Sequence, residues 1–285
     1  MGSPQSNQPG LGPITCVTFT APDLAAVEDA YSRFLDYRVV QRGQLSATQA
    51  DAWNCPADAG TETLLMAPAA ADDFLFRVVE SPAVDDYLPF GSFGWNAAEI
   101  IVRDVDALAE RLVDSAFEIV GAPQDLSFSE DIRAMQILGP GRELLYLTQF
   151  KRAVPGLDVP DARCDVDRTF IVILGGPSMD ALQDFYADRF QVPRAAAVES
   201  RVKGMSAAFG LDPEHRYPIA ALPLAGQCLI EVDQMPDQAK ARQGHAGRLP
   251  PGISVVSFAS AVTGSEAGSL VGAAGEIIEL DSAGR

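Results

Sequence analysis

The sequence predicts an α+β chain made of four tandem βαβββ modules, the last of them abbreviated. Three observations support that reading. Short alternating or β-branched runs recur around a few well-marked helical stretches. Two phrases return in the second half: Asp29-Ala-Tyr-Ser-Arg-Phe34 is echoed by Asp184-Phe-Tyr-Ala-Asp-Arg-Phe190, and Gly141-Arg-Glu-Leu-Leu-Tyr-Leu147 by Gly275-Glu-Ile-Ile-Glu-Leu280. Between the halves, residues 151–166 combine Pro155, Gly156 and Pro160 with mixed charge, the composition of a linker.

Each element has a local reason. Residues 14–21 alternate as a strand and run into Pro22-Asp23, a turn with a capping carboxylate; Leu24, Val27, Tyr31 and Phe34 then recur at helical spacing. Residues 37–41, 63–66 and 74–79 complete the first module as strands. The second repeats the order: a strand at 98–102, Asp104 and Asp106 as helix-start carboxylates, an apolar stripe through Leu108 and Leu112, and strands at 117–120, 133–138 and 143–150. In the third, a strand at 169–174 is followed by Gly175-Gly-Pro-Ser178, a turn and cap. A helical face through Met179, Leu182, Tyr186 and Phe190 comes next, with strands at 195–198, 205–209 and 228–232. Strands at 253–259 and 276–280 bracket a short Gly/Ala-rich stretch and form the fourth. The expected organisation is a tail at 1–13, domains at 14–150 and 167–285, and the linker between them. A curved sheet with its helix on one side leaves the other face open, so modules must pair and enclose clefts, two in all.

Composition limits the function. The chain has 285 residues, 47% hydrophobic and 21% charged, enough to bury a core. Its 39 acidic and 21 basic residues leave a net charge of −18, and 22 of the acids against 8 of the bases lie in residues 1–150. A polyanion repels phosphate backbones and anionic bilayers, so neither nucleic acid nor membrane is expected as a partner. The two histidines, His215 and His245, lie in no HExxH-type spacing. Cys16, Cys55, Cys164 and Cys228 form no CxxC pair. With no signal-peptide pattern at the N-terminus, a cytoplasmic protein is expected. No GxSxG elbow or phosphate loop occurs. The segment 240–248 (KARQGHAGR) reads as a basic surface loop that, with Lys203, could draw an anionic ligand.

The phrase "strand, Pro22-Asp23-Leu24, helix through Tyr31, Phe34-Leu-Asp-Tyr-Arg-Val39" resembles the vicinal oxygen chelate superfamily, which includes glyoxalase I, extradiol dioxygenases and bleomycin-resistance proteins. Glu99-Ile-Ile-Val-Arg-Asp-Val-Asp-Ala-Leu-Ala-Glu-Arg-Leu112 resembles the opening of that family's second module, and Gly139-Pro-Gly-Arg-Glu-Leu-Leu-Tyr-Leu-Thr-Gln149 its closing strand. The resemblance spans nearly all of residues 14–281. It implies two tandem glyoxalase/bleomycin-resistance-like domains whose clefts hold a divalent metal on one ligand from each opening strand and a Glu from the last strand.

Carried over position by position, the implied ligand sites fall on Cys16, Ala97 and Leu145 or Tyr146 in the first half. In the second half they fall on Phe170 or Ile171, Ser254 and Glu279. Only Glu279 keeps a family ligand, so no metal residue is assigned and no cofactor is expected, a divalent metal remaining an open alternative. Strand alternation puts Glu99 on the face of Ala97 and so towards a cleft. Glu279, Glu99 and Tyr146 are therefore the catalytic candidates, with Cys16, Ser254 and Ile171 as substrate-binding candidates. The plainer alternatives are a buried thiol at Cys16, hydrogen-bonded strand carboxylates at Glu99 and Glu279, and a core aromatic at Tyr146. The leading functional expectation is a lyase or isomerase of a small oxygenated organic molecule, working by carboxylate acid–base chemistry without the usual metal. The alternatives are a non-catalytic binder of the bleomycin-resistance type and, third, a metal-dependent glyoxalase or dioxygenase. The expected partner is a small-molecule ligand, the expected state a monomer or homodimer.

Overall fold

A computed structural model describes residues 9–127, 129–260 and 268–281. The first module contains β1 (Leu11–Ala21), α1 (Leu24–Phe34), β2 (Arg38–Gln44), α2 (Ala47–Ala52), β3 (Glu62–Ala67) and β4 (Leu75–Glu80). The second contains β5 (Ser92–Val102), α3 (Val105–Leu112), β6 (Glu118–Leu126), β7 (Ser129–Leu138) and β8 (Leu144–Phe150). The third contains β9 (Val166–Gly176), α4 (Met179–Phe190), β10 (Val198–Arg201), α5 (Lys203–Phe209), β11 (Arg216–Leu224) and β12 (Cys228–Gln234). After the two-residue β13 (Lys240–Ala241), the fourth contributes β14 (Ile253–Ser260), β15 (Gly268–Val271) and β16 (Ile277–Asp281). The expected caps are in place. Asp23 accepts from the amides of Ala25 and Ala26, Asp104 from those of Asp106 and Ala107, and Ser178 from that of Ala181.

Every module follows one strand plan. Its first strand pairs in parallel with its last, and the middle strands follow antiparallel: β1-β4-β3-β2, β5-β8-β7-β6, β9-β12-β11-β10 and the shorter β14-β16-β15. First strands then pair antiparallel across modules. β1 meets β14 in a seven-stranded sheet, and β5 meets β9 in a nine-stranded one. Each curled sheet thus draws on both halves of the chain: the first and fourth modules make one, the second and third the other. One face of both sheets, through Val17, Phe19, Ala98, Ile100, Val172, Leu174, Val256 and Phe258, joins the inner faces of α1, α3 and α4 in a single core.

Several boundaries differ from expectation. Residues 205–209 form helix α5, not a strand, because Met205, Ala208 and Phe209 sit at helical spacing and Gly210 ends the turn in the left-handed region. Strand β11 has no counterpart in the sequence reading, since Pro218 and Pro223 interrupt it. β1 starts at Leu11, which is buried and whose carbonyl accepts from the Ala225 amide; residues 1–8 of the expected tail lie outside the described residues. The segment 240–248 is not a free basic loop. Arg242 donates to the carbonyls of Trp95, Pro251 and Ile253 and to Ser92 Oγ and Asn96 Oδ1, pinning the crossing chain to β5. Arg248 pairs at 2.7 Å with the fully buried Asp58.

The two repeated phrases meet each other in space. Tyr31 on α1 donates to Glu143 at 2.8 Å, and Tyr186 on α4 donates to Glu276 at 2.9 Å. Each glutamate closes a tight turn: the Gly139 amide bonds the Glu143 carbonyl, and the Gly272 amide bonds that of Glu276. A Cβ at Gly139 or Gly272 would overlap the carboxylate itself, so only glycine fits either place. Both carboxyl groups are buried, which pushes Glu143 up to about 7 and raises Glu276. Removing a hydroxyl donor from a buried carboxyl group costs about 1.5–3 kcal/mol. Tyr31→Phe and Tyr186→Phe should each lower unfolding free energy by that amount in urea titration, with Gly139→Ala and Gly272→Ala costing more.

Candidate functional site

The face of each sheet turned away from the shared core forms a cleft. In the seven-stranded sheet it carries Cys16 and Thr18 on β1, Arg77 on β4, Ser257 on β14 and Glu279 on β16. This cleft is filled. Residues 45–58 lay Leu45, Ala50, Trp53 and Cys55 against Val79, Val255 and Leu249 in a small dry core. Glu279 accepts from Ser257 Oγ at 2.6 Å, from Arg77 at 3.2 Å and from Gln49 Nε2 at 3.2 Å. The Arg77 guanidinium stacks 5.1 Å from the Trp53 ring centroid. Both side chains of the ion pair are about one-sixth exposed. Cys16 is buried beside them, and burial raises its thiol. Ser254 is buried too, its hydroxyl donating to the Pro250 carbonyl at 2.6 Å; Ser257 occupies the place next to Glu279.

The cleft of the nine-stranded sheet is open. It forms a cavity of about 960 Å³ over Glu99 on β5, Tyr146 on β8 and Glu231 on β12, with Gln136 on β7 beside them. Phe90, Leu138, Leu144, Val202 and Ile219 supply apolar wall. Helix α5 closes one side. Its Gly204 lies against the Phe90 ring with no room for a Cβ beyond close contact, and Ser206 hydrogen-bonds Tyr217 at 3.0 Å. Ile171 sits between the two glutamates: it pairs with Glu99 across β5–β9 and with Leu229 across β9–β12, while Glu231 pairs with Ile173. The glutamate backbones therefore lie two strand spacings across and two residues along the sheet from each other, roughly 12 Å, with both side chains on one face.

Tyr146, not Leu145, takes the cleft position, since Leu145 is fully buried in the core; likewise Ile171 and not Phe170, whose ring packs 5.9 Å from Phe150. Of the residues singled out from sequence, Glu99 and Tyr146 line this cavity, and Ile171 lies beside Glu99 in the same ladder. Cys16 and Glu279 lie in the filled cleft, and Ser254 in neither cleft's polar cluster.

Burial pushes Glu99 up to about 7, with the Thr148 hydroxyl opposing. Glu231 is raised well above the usual carboxylate range by burial and by the neighbouring Asp233 and Glu99. Asp233, two residues along the same strand face, is fully buried with both oxygens unpartnered, and burial lifts it to about 7. The Tyr146 phenol is raised by burial, then by Glu231, Asp233 and Glu99. It therefore stays protonated near neutral pH. Glu231, Asp233 and Arg77 were missed in the sequence. The alternation Leu229-Ile-Glu-Val-Asp233 on a closing strand was the available signal.

No protein-family model and no curated protein matches the chain. Among solved structures, glyoxalase I from Zea mays superposes with a TM-score of 0.63 at 14% identity, covering 94% of this chain and 91% of its own. A Bacillus subtilis protein named provisionally as a dioxygenase superposes with a TM-score of 0.62 at 10% identity, covering 97% and 86%. The chain has the vicinal oxygen chelate fold. That fold's metal chemistry can be tested on the donors present. In the filled cleft, the Arg77 guanidinium already neutralises Glu279, and Cys16 and Ser257 complete a set that does not fit a divalent ion. In the open cleft the positions corresponding in register to Cys16, Ser257 and Glu279 hold Ile171, Glu99 and Tyr146, a single carboxylate. Among the described residues no three His, Cys, Asp or Glu side chains are grouped to hold a metal. No helix among them is long and apolar enough to cross a membrane.

The raised carboxyls have a measurable consequence. A carboxyl whose folded pKa lies above its unfolded value favours folding when protonated. That contribution is lost as pH rises from about 4 towards 7. For Asp233, lifted from 3.8 to about 7, the loss is on the order of 2–4 kcal/mol. Thermal unfolding should therefore occur at higher temperature at pH 5.5 than at pH 8, and Asp233→Asn should raise the pH 8 value and flatten the profile.

Proposed function

We propose that the open cleft is the active site of a metal-independent acid–base enzyme, a lyase or isomerase acting on a small oxygenated organic molecule. The observation that supports this most directly is the pair Glu99 and Glu231. They share one face of a 960 Å³ cavity, and their environments separate their proton affinities. Two titratable groups pushed apart in this way divide naturally into base and acid. Glu99, near neutrality, is the base. Glu231, raised by burial and by the neighbouring acids Asp233 and Glu99, is the acid, and the Tyr146 phenol is a second donor.

The chemistry is a proton transfer next to a carbonyl. The Glu99 carboxylate removes a proton from the carbon beside the carbonyl, and the electron pair moves onto the carbonyl oxygen, where Tyr146 and protonated Glu231 donate hydrogen bonds. Where the carbon that lost its proton carries a hydroxyl, isomerisation follows if that hydroxyl's proton passes to the oxyanion and the proton held by Glu99 returns to the former carbonyl carbon. Elimination follows if a β-substituent leaves with the electron pair and takes up a proton from Glu231. Apolar walls exclude water from the reacting atoms. Glu279 plays no part in this scheme, because its oxygens are engaged by Arg77, Ser257 and Gln49.

The test needs no knowledge of the natural substrate. A panel of α-hydroxyketones and β-substituted ketones in D₂O is followed by NMR for deuterium entering the carbon beside the carbonyl. The native chain should catalyse exchange with at least one member, with a rate that rises with pH through about 7. Glu99→Gln should reduce it 10²-fold or more and Tyr146→Phe about tenfold, while Glu279→Gln leaves it within a factor of a few. Exchange unaffected by Glu99→Gln would overturn the assignment. Binding of panel members without any exchange would point to sequestration by the same cleft.

A further inference from the structure

We infer that the open cleft takes an organic cation: a mostly apolar small molecule carrying a protonated amine, its nitrogen seated over Ile171 between Glu99 and Glu231. The inference deepens the proposed site and rests on placing it in this cleft. Three acidic side chains, Glu99, Glu231 and Asp233, share the sheet face beneath the cavity. None has an ion-pair partner among the described residues. Burial raises all three, the Thr148 hydroxyl opposing at Glu99 and the neighbouring Asp233 and Glu99 adding to the rise of Glu231, with no basic side chain contributing to any of them. Asp233, behind the lining residues on the same strand face, adds an independent sign of a missing partner: it is fully buried and neither oxygen receives a hydrogen bond from the described residues. Buried carboxyl groups of one sign without a counter-charge destabilise one another, and an entering cation relieves that repulsion.

The protein's own cations do not supply it. Three basic residues line the cavity, and all are exposed at its mouth. Arg142 pairs with Glu118 at 3.4 Å and Arg201 with Glu214 at 2.9 Å, which leaves Lys203. The filled cleft provides the contrast: there Arg77 brings the positive charge to Glu279 from within the chain.

Size and wall chemistry select the kind of cation. A bare metal ion would need at least a third grouped donor, and none is present among the described residues. A 960 Å³ cavity walled by Phe90, Leu138, Leu144 and Ile219 suits a molecule with a substantial apolar body. The net charge of −18 draws cations towards the protein from a distance.

The test compares three probes of one shape by calorimetry: 4-phenylbutylamine, 4-phenylbutan-1-ol and 4-phenylbutyrate. The amine should bind at least tenfold tighter than the alcohol, and the carboxylate weakest. Because the ammonium favours ionised carboxylates, its binding should release protons and tighten as pH rises from 6 to 8, read on the native chain in buffers of different ionisation enthalpy. Glu99→Gln and Glu231→Gln should each cut amine affinity at least tenfold while leaving alcohol affinity unchanged, which also verifies that the variant cleft is folded. An amine that binds no better than the alcohol, or that binds without proton release, overturns the inference. The two proposals fail separately. Selective amine binding without deuterium exchange removes the base role alone, and exchange lost in Glu99→Gln without amine preference removes the cation alone.

Discussion

A βαβββ module buries one face of its sheet beneath its helix and leaves two things unsatisfied: the opposite face, and the outer edge of its first strand. An unpaired edge of that length carries a row of free amides and carbonyls. Both needs are met by setting two first strands antiparallel, β1 with β14 and β5 with β9. Closing the edges this way also curls each joined sheet around a cleft. The partner of each module is therefore fixed by ladder geometry, and the partners are not neighbours in sequence. Residues hundreds of positions apart, such as Arg77 and Glu279, come to share a site.

The two clefts then solve the same electrostatic problem in opposite ways. In the seven-stranded sheet a carboxylate stands at the family's ligand position, and the chain answers with an arginine, a serine, a glutamine and a tryptophan lid. The result is a largely buried ion pair beside a small apolar core, its desolvation offset by three hydrogen bonds and ring stacking. In the nine-stranded sheet the acids outnumber their partners, the insert α5 stands to one side, and space remains above them. Of two clefts built on the same strand plan, one is filled by the chain's own side chains and the other is left open.

Much of the fold is legible in the sequence because it depends on local pattern. The caps Asp23, Asp104 and Ser178, the helix faces and the repeated phrases all read correctly, since each rests on spacing within a dozen residues. The site is less legible because it depends on register between distant strands. The β1–β14 ladder contains irregular steps, so an offset counted along the chain lands on Ser254 where the fold presents Ser257. Glu99, Tyr146 and Ile171 read as cleft residues because simple alternation suffices for them. Glu231 and Arg77 went unread since every module, and not only the second of each half, brings its closing strand beside the opening one. The helix at α5 follows a helical spacing and a glycine stop that a short apolar run conceals, whereas the proline-bearing β11 shows strand pairing overriding what the local run suggests.

The two tyrosine–glutamate clasps have a mechanical meaning as well. Tyr31 and Glu143 belong to modules that are adjacent in sequence but lie in different sheets, and so do Tyr186 and Glu276. Backbone ladders join distant modules, while buried side-chain bonds join neighbouring ones. The two kinds of bond interleave, and no plane divides the molecule without breaking one or the other. Bonded this way, the two clefts belong to one interleaved body, and the rim of the open cleft is built by helix α5 together with the exposed apolar side chains Leu88 and Val120.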